Sequence, residues 1–196
     1  AAGKLRGLGI SSFLETSRGA PQEGAEINFR KDGQIELRVG TESNGQGHET
    51  SYKQIAADRL GLPMEVFHYI QADTREIRVG FGHGGARSMH MGGGVMVRAI
   101  DEALEKAKFI AARLLQTEHT ELTFAEGKFT VLSTGQSVSL ADVVMEAGDA
   151  ELDTFVFNED VPFTFPNGCQ AAEVEIDPET GAVELMRYIA VDDYGN

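Results

Sequence analysis

Two short stretches of this sequence combine glycine with hydrogen-bond donors in a way that suits an anionic ligand. The first is Asn44-Gly45-Gln46-Gly47-His48-Glu49-Thr50. Gly45 and Gly47 let the main chain approach a ligand closely. Asn44 and Gln46 add side-chain amides, and Thr50 adds a hydroxyl. The stretch lies between a strand-like run and a helical period, so the free amides of a helix's first turn would attract negative charge there. On spacing alone, a flexible turn capped by polar residues fits equally well. The second stretch is Gly82-His83-Gly84-Gly85-Ala86-Arg87-Ser88-Met89-His90, also a glycine loop before a helix. Arg87 can offer a fork of donors to a phosphate or a carbonyl edge. The competing reading is a mobile glycine loop. Two such loops in one domain would grip a diphosphate from two sides, with Gln46 and Arg87 approaching each other across one groove.

Other reactive residue types form no recognisable pattern. His48-Glu49 lacks the second histidine of a zinc-protease motif, and the gap from His83 to His90 lies in an irregular loop, so no protein-ligated metal is assigned. Ser88 and His90 are merely neighbours, and no nucleophile–base pair can be read. Cys169 follows Asn167-Gly168 and reads as a small buried residue rather than a reactive thiol.

The elements that must position these loops follow from hydrophobic period. Ala25–Phe29 and Ile35–Val39 alternate across Asp32-Gly33, the pattern of a hairpin. Tyr52, Ile55, Ala56 and Leu60 recur at helical spacing, and Gly61 then Pro63 supply a stop. Residues 64–70 read as a strand. Seven glycines fall between Gly80 and Gly94. A long helix follows over about 95–116, with Met96, Ile100, Ala103, Ala107, Ile110, Ala111 and Leu114 on its buried face and Glu102–Lys106 as a solvent-side pair. Leu122–Phe124 and Phe129–Leu132 form a second hairpin. Ser139 and Asp142 resemble a capping box for a short helix ending near Ala147, and 148–168 reads as irregular. Ala172–Ile176 and Val183–Val191 form a third hairpin. The fold class is α+β, antiparallel hairpins packed with two main helices.

Composition is ordinary for a globular chain: 196 residues, 41% hydrophobic and 24% charged. A net charge of −14, from 31 acidic and 17 basic residues, argues against a nucleic-acid binder or a protein held on an anionic membrane. No apolar run is long enough to span a bilayer. With one cysteine there is no internal disulfide and no cysteine-based zinc or iron–sulfur site, which fits a cytoplasmic setting. Ala1 is not a Met and no signal-peptide pattern follows it. Asp192-Asp193-Tyr194-Gly195-Asn196 reads as an interruption rather than a finished tail, so residues 1–196 are expected to be a fragment of a larger subunit.

Taken together, the motifs resemble the molybdopterin-binding region of molybdenum hydroxylase large subunits, the group of xanthine dehydrogenase, aldehyde oxidase and aerobic carbon monoxide dehydrogenase. The residues that carry the resemblance are Gly45–Thr50 with Gln54–Pro63, then Ala86-Arg87-Ser88, Phe165–Cys169, Glu173–Gly181 and Val191-Asp192-Asp193. It implies that Gly45, Gln46, Gly47, His48 and Thr50, with Gly85, Ala86, Arg87 and Ser88, hold the pterin, the phosphates and the nucleotide. The expected cofactor is molybdopterin cytosine dinucleotide, its molybdenum held by the pterin dithiolene. The expected partners are the rest of the large subunit and iron–sulfur and FAD subunits. The complete enzyme would hydroxylate a carbon centre with oxygen from water, or oxidise carbon monoxide. The family's catalytic glutamate would lie beyond Asn196, and its metal-proximal glutamine and substrate loop before Ala1. No catalytic residue is therefore assigned, and the isolated chain is expected to be inactive and without molybdenum. Where many relatives have a cysteine after the paired aspartates, this chain has Tyr194. The alternatives are a stand-alone module that binds a nucleotide-like ligand, or a subunit-assembly module.

Overall fold

The computed structural model describes residues 3–158, 161–193 and 195. In chain order its elements are β1 (Leu5–Leu14), β2 (Glu23–Phe29), β3 (Ile35–Val39), α1 (His48–Leu60), β4 (Phe67–Ile70), α2 (Gly94–Leu115), β5 (Leu122–Ala125), β6 (Lys128–Val131), β7 (Ser137–Ser139), α3 (Leu140–Glu146), β8 (Thr154–Asn158), β9 (Asn167–Ile176) and β10 (Val183–Asp193). A π-helical segment, Ser88–Gly93, runs directly into α2. The chain divides into two compact units, Arg18–Val161 and a second made of Ala1–Ser17 with Pro162–Asn196. The α+β class expected from the sequence is found.

In the larger unit a four-stranded sheet has the order β4-β3-β2-β8. Its centre is the β2–β3 hairpin. Gly33 takes φ 90 in the turn, and the Asp32 carboxylate accepts the Gln34 amide at 3.0 Å. Ala25, Ile27, Leu37 and Val39 from this hairpin share one core with Met96, Ala99, Ile100, Ala103, Ala107 and Ile110 of α2 and Tyr52 and Leu60 of α1. Every one of these side chains is buried. The alanines let α2 lie close to β2 and β8, and each fully buried Ile or Met contributes about 1.5–3 kcal/mol. The other face of the hairpin is polar. Arg38 bonds Glu36 at 2.8 Å and Glu76 at 3.1 Å, and Arg78 bonds Glu26 at 3.0 Å. β4 lies parallel to β3, with α1 as the crossover between them. α1 stops at Gly61, φ 61, whose amide bonds the Ala57 carbonyl at 2.8 Å. A second sheet, β5-β6-β7, leads into α3, and the Ser139 hydroxyl caps that helix by accepting the Asp142 amide at 3.1 Å.

The smaller unit is an antiparallel sheet of order β1-β9-β10. Leu5 opposes Ile176, Leu14 opposes Asn167, and the β9–β10 hairpin has a bulge between Leu185 and Arg187. Its turn is closed by the Asp177 carboxylate, which accepts the Glu179 and Thr180 amides.

Several expectations are corrected. Residues 148–168 are not wholly irregular, because Thr154–Asn158 forms β8 on the edge beside β2, with Thr154 and Val156 turned to the core. Glu102 pairs with Arg98 at 3.9 Å rather than with Lys106, whose Nζ donates to the Asp153 carbonyl at 2.9 Å. Leu114 lies outside the core, 38% exposed, because α2 turns it away from the sheet. Cys169 is exposed on β9, not buried. Tyr194, set apart in the sequence comparison, lies outside the described residues.

Candidate functional site

The main chain leading into the two glycine stretches passes close together. Gly40 follows β3 and Gly80 lies two residues before the second stretch, and the two pass so closely that a side chain on Gly40 would overlap the Gly80 and Val79 main chain. Further out, Asn44 Nδ2 meets His83 Nε2 at 3.3 Å. An amide nitrogen can only donate, so Nε2 of His83 accepts and its proton sits on Nδ1. The structure thus brings together the two loops predicted from sequence.

In the first loop the main chain takes left-handed turns at Gly45, φ 124, and Gly47, φ 78, with nothing within 4 Å of where either side chain would stand. That leaves open space beside the backbone. Gln46 is exposed; its Oε1 accepts the Asn44 amide at 2.7 Å and its Nε2 donates to the Glu42 carbonyl at 3.3 Å. Its side chain therefore ties the loop together and keeps one N–H of Nε2 in hand. Gly47 provides no side-chain cap, so the amides at the start of α1 are free of one. Thr50 stands exposed on that first turn, whereas His48 is buried. Burial, and then the proximity of His83, hold the His48 imidazole below its ordinary range.

The second loop carries consecutive positive φ values at Gly85 (87) and Ala86 (50), after which Arg87 returns to φ −102. Such a reversal turns successive amides to one side, as in anion-binding nests. Gly85 and Ala86 are exposed and Ser88 is half-buried. Ser88 starts the π-helical segment, again without a side-chain cap on its first turn.

Arg87 departs from the sequence expectation. It is completely buried. Nη1 bonds Glu23 at 2.6 Å and the Gly82 carbonyl at 2.6 Å; Nη2 bonds the Ala20 carbonyl at 3.2 Å and the Gln22 carbonyl. The fork that the sequence would offer to a phosphate is committed to the protein. Glu23 is equally buried, and burial pushes its carboxyl above the usual range, against the opposing pull of the Gly24 amide and of Arg87.

A second tie joins the helix starts. Tyr52 on α1 donates to the Ser88 carbonyl at 2.8 Å, so the Thr41 hydroxyl, 2.7 Å away, must be the donor to Tyr52. Burial pushes the Tyr52 hydroxyl far above its ordinary range, which keeps the proton in place. Gly92 is held against this hydroxyl with no room for a side chain. Glu23, Thr41 and the Tyr52 hydroxyl were not legible as site residues. Tyr52 reads as a core position of a helix, and nothing near Glu23 announces a cation 64 positions later.

Among the described residues, His48 Nδ1, His83 Nδ1 and Arg87 Nε are buried without a hydrogen-bond partner. Buried polar atoms are rarely left so. All three belong to the two loops, and with the open space at Gly45, Gly47 and Gly82 they fit a polar, anionic group. Among the described residues there is no cluster of His, Cys, Asp or Glu able to hold a metal ion.

Comparison with known proteins places the chain in a family. The carbon monoxide dehydrogenase large chain of Hydrogenophaga pseudoflava is 30% identical over 97% of this chain and 26% of its own length. The nicotine 6-hydroxylase large subunit of Paenarthrobacter nicotinovorans is 32% identical over 99% of this chain and 27% of its own length. The chain thus spans about a quarter of these curated relatives. The reconstituted carbon monoxide dehydrogenase of Oligotropha carboxidovorans superposes with a TM-score of 0.85 at 27% identity, over 96% of this chain and 26% of that one. The molybdopterin cofactor-binding domain family matches residues 1–196 in full, and the chain belongs to it, within the molybdenum hydroxylase group.

Proposed function

We propose that this chain supplies one wall of the site for a molybdopterin cytosine dinucleotide in the large subunit of a molybdenum hydroxylase. The observation that carries the reading is the Asn44–His83 bridge, which joins two uncapped helix starts beside three unpartnered buried polar atoms. When bound, the cofactor supplies the oxidation of a carbon substrate with oxygen from water. The chain's own residues bind and orient. Gly45 and Gly47 give access to the main chain, and the amides of His48 to Thr50 face the anion with the Thr50 hydroxyl beside them. Gln46 adds its second amide N–H. In the other loop Gly85, Ala86, Arg87 and Ser88 contribute main-chain amides, and His83 contributes its Nδ1–H. Neutral His48 adds a ring nitrogen without a charge.

The proposed partners are the rest of the large subunit, with iron–sulfur and FAD subunits, in the cytoplasm. Among the described residues no helix is long and apolar enough to cross a membrane. The exposed apolar residues Leu8 (70%), Ile10 (70%) and Val191 (68%) on β1 and β10 suit burial against the remainder of that subunit.

Cytidine diphosphate is a direct probe. Titrated into isotope-labelled chain, it is expected to shift the amides of Gly45, Gly47, Gly85 and Ala86 together with the ring signals of His48 and His83. Shifts confined to one loop, or none at all, would refute the shared site.

A further inference from the structure

Building on the reading that both glycine loops meet one diphosphate, we infer that Glu23 and Arg87 are a positioning pair. They fix the stems of both loops, so that loop amides, and not the guanidinium fork, meet the ligand. Three features lead there. First, the four Nη hydrogens of Arg87 are used up by Glu23 and by the carbonyls of Gly82, Ala20 and Gln22. One side chain thereby ties the second loop to β2 and to the strap that precedes it. Second, Glu23 stands where the loop stems cross. One oxygen takes Arg87 and the other takes the Gly24 amide at 2.9 Å. A side chain on Gly40 would strike that second oxygen as well as Gly80. Third, the strap leaves no slack. A Cβ on Gly19 would lie 2.6 Å from the Gly84 oxygen and 3.0 Å from Arg87 Cδ, and one on Gly85 would lie 2.8 Å from Gly19 Cα.

An ion pair sealed from water is seldom more stable than apolar packing of the same volume. A fold that keeps one here, beneath its two glycine loops, gains defined geometry. Lysine could keep the charge but not four hydrogen bonds in fixed directions.

The test uses the full chain, Arg87→Lys, and the neutral double variant Glu23→Gln/Arg87→Met. Amide hydrogen exchange is read without ligand, and cytidine diphosphate affinity is read separately. In the double variant, exchange across residues 40–47 and 82–88 should quicken at least ten-fold, while the middle of α2 keeps its protection. Affinity should fall at least ten-fold, and Arg87→Lys should lie between. Unchanged loop exchange in either folded variant overturns the pair's positioning role. Loosened loops with undiminished affinity overturn its link to the ligand. If the double variant does not fold, Arg87→Lys decides by the same two readings. If the unaltered chain ignores cytidine diphosphate, the diphosphate reading fails, and the exchange data alone decide whether the pair holds the loops.

Discussion

His48 enters the site as a buried neutral base. Burial and the neighbouring His83 lower its folded pKa beneath the ordinary 6.5. Between the two values the unfolded chain binds more protons, so the associated stability is complete above about pH 6.5 and is lost as pH falls through the folded value. A ring-proton titration should give a His48 midpoint below 6.5, and thermal unfolding between pH 7 and 5 should show falling stability that His48→Gln flattens. A midpoint at or above 6.5 would contradict the burial argument. Arg87 makes the complementary case. Arg87→Met alone strands the Glu23 carboxylate in the interior, and breaking a buried pair in this way costs about 3–5 kcal/mol. The double variant Glu23→Gln/Arg87→Met should recover most of that loss in denaturant unfolding. An equal loss in both would mean that packing, not charge, sets the cost. From sequence, Arg87 could be singled out because a guanidinium beside glycines suits a phosphate. Its actual partner was hidden, since Glu23 opens an otherwise ordinary strand and only the tertiary crossing of the loop stems brings the two together.

At the scale of elements, the helix starts divide glycines that need their missing side chain from one that does not. Gly92 and Gly94 are close in sequence, and alanine is favoured over glycine in a helix by about 1 kcal/mol. A methyl on Gly92 would run into the Tyr52 hydroxyl and stand 3.0 Å from Thr41 Oγ1, while one on Gly94 meets nothing within 4 Å. Gly94→Ala should therefore stabilise by about 0.4–1 kcal/mol. Gly92→Ala should destabilise by about 1–3 kcal/mol through overpacking, with Tyr52→Phe relieving part of it. Melting temperatures of the three variants check this; a stabilised Gly92→Ala would disprove the contact. Period and turn chemistry made α1, α2 and the three hairpins legible. β8 was not, because its outward Phe155 and Phe157 mask the inward Thr154 and Val156 and prolines follow it. β1 was missed for a related reason. Its apolar residues Leu8 and Ile10 are exposed, so no buried face marks the strand. The parallel pairing of β4 with β3 depends on how α1 folds back, which local pattern does not encode.

For the whole molecule, the decisive quantity is how much of a cofactor's grip 196 residues can provide. Among the described residues no side-chain cluster can ligate a metal, so retention of molybdenum would depend on holding the pterin and its tail. What the proposed site offers is a set of amides, Gln46, Thr50 and two histidines. The relatives are about four times as long, and on the function proposed above the rest of such a subunit would supply further contacts to the cofactor. Each charge-assisted contact that is missing forfeits about 1.5–3 kcal/mol, and every 1.4 kcal/mol or so is a factor of ten in affinity. Two or three absent contacts therefore weaken binding by about a hundred-fold or more. The purified chain is thus expected to contain no stoichiometric molybdenum by elemental analysis. It should also reduce no dye with purines, aldehydes or carbon monoxide as donors, while still showing the two-loop response to cytidine diphosphate. Turnover with bound molybdenum would show that these residues hold far more of the cofactor than their visible contacts supply. A folded chain that is empty and inactive yet responsive to the nucleotide would support the proposal that these residues bind the cofactor's tail and leave the chemistry to other residues.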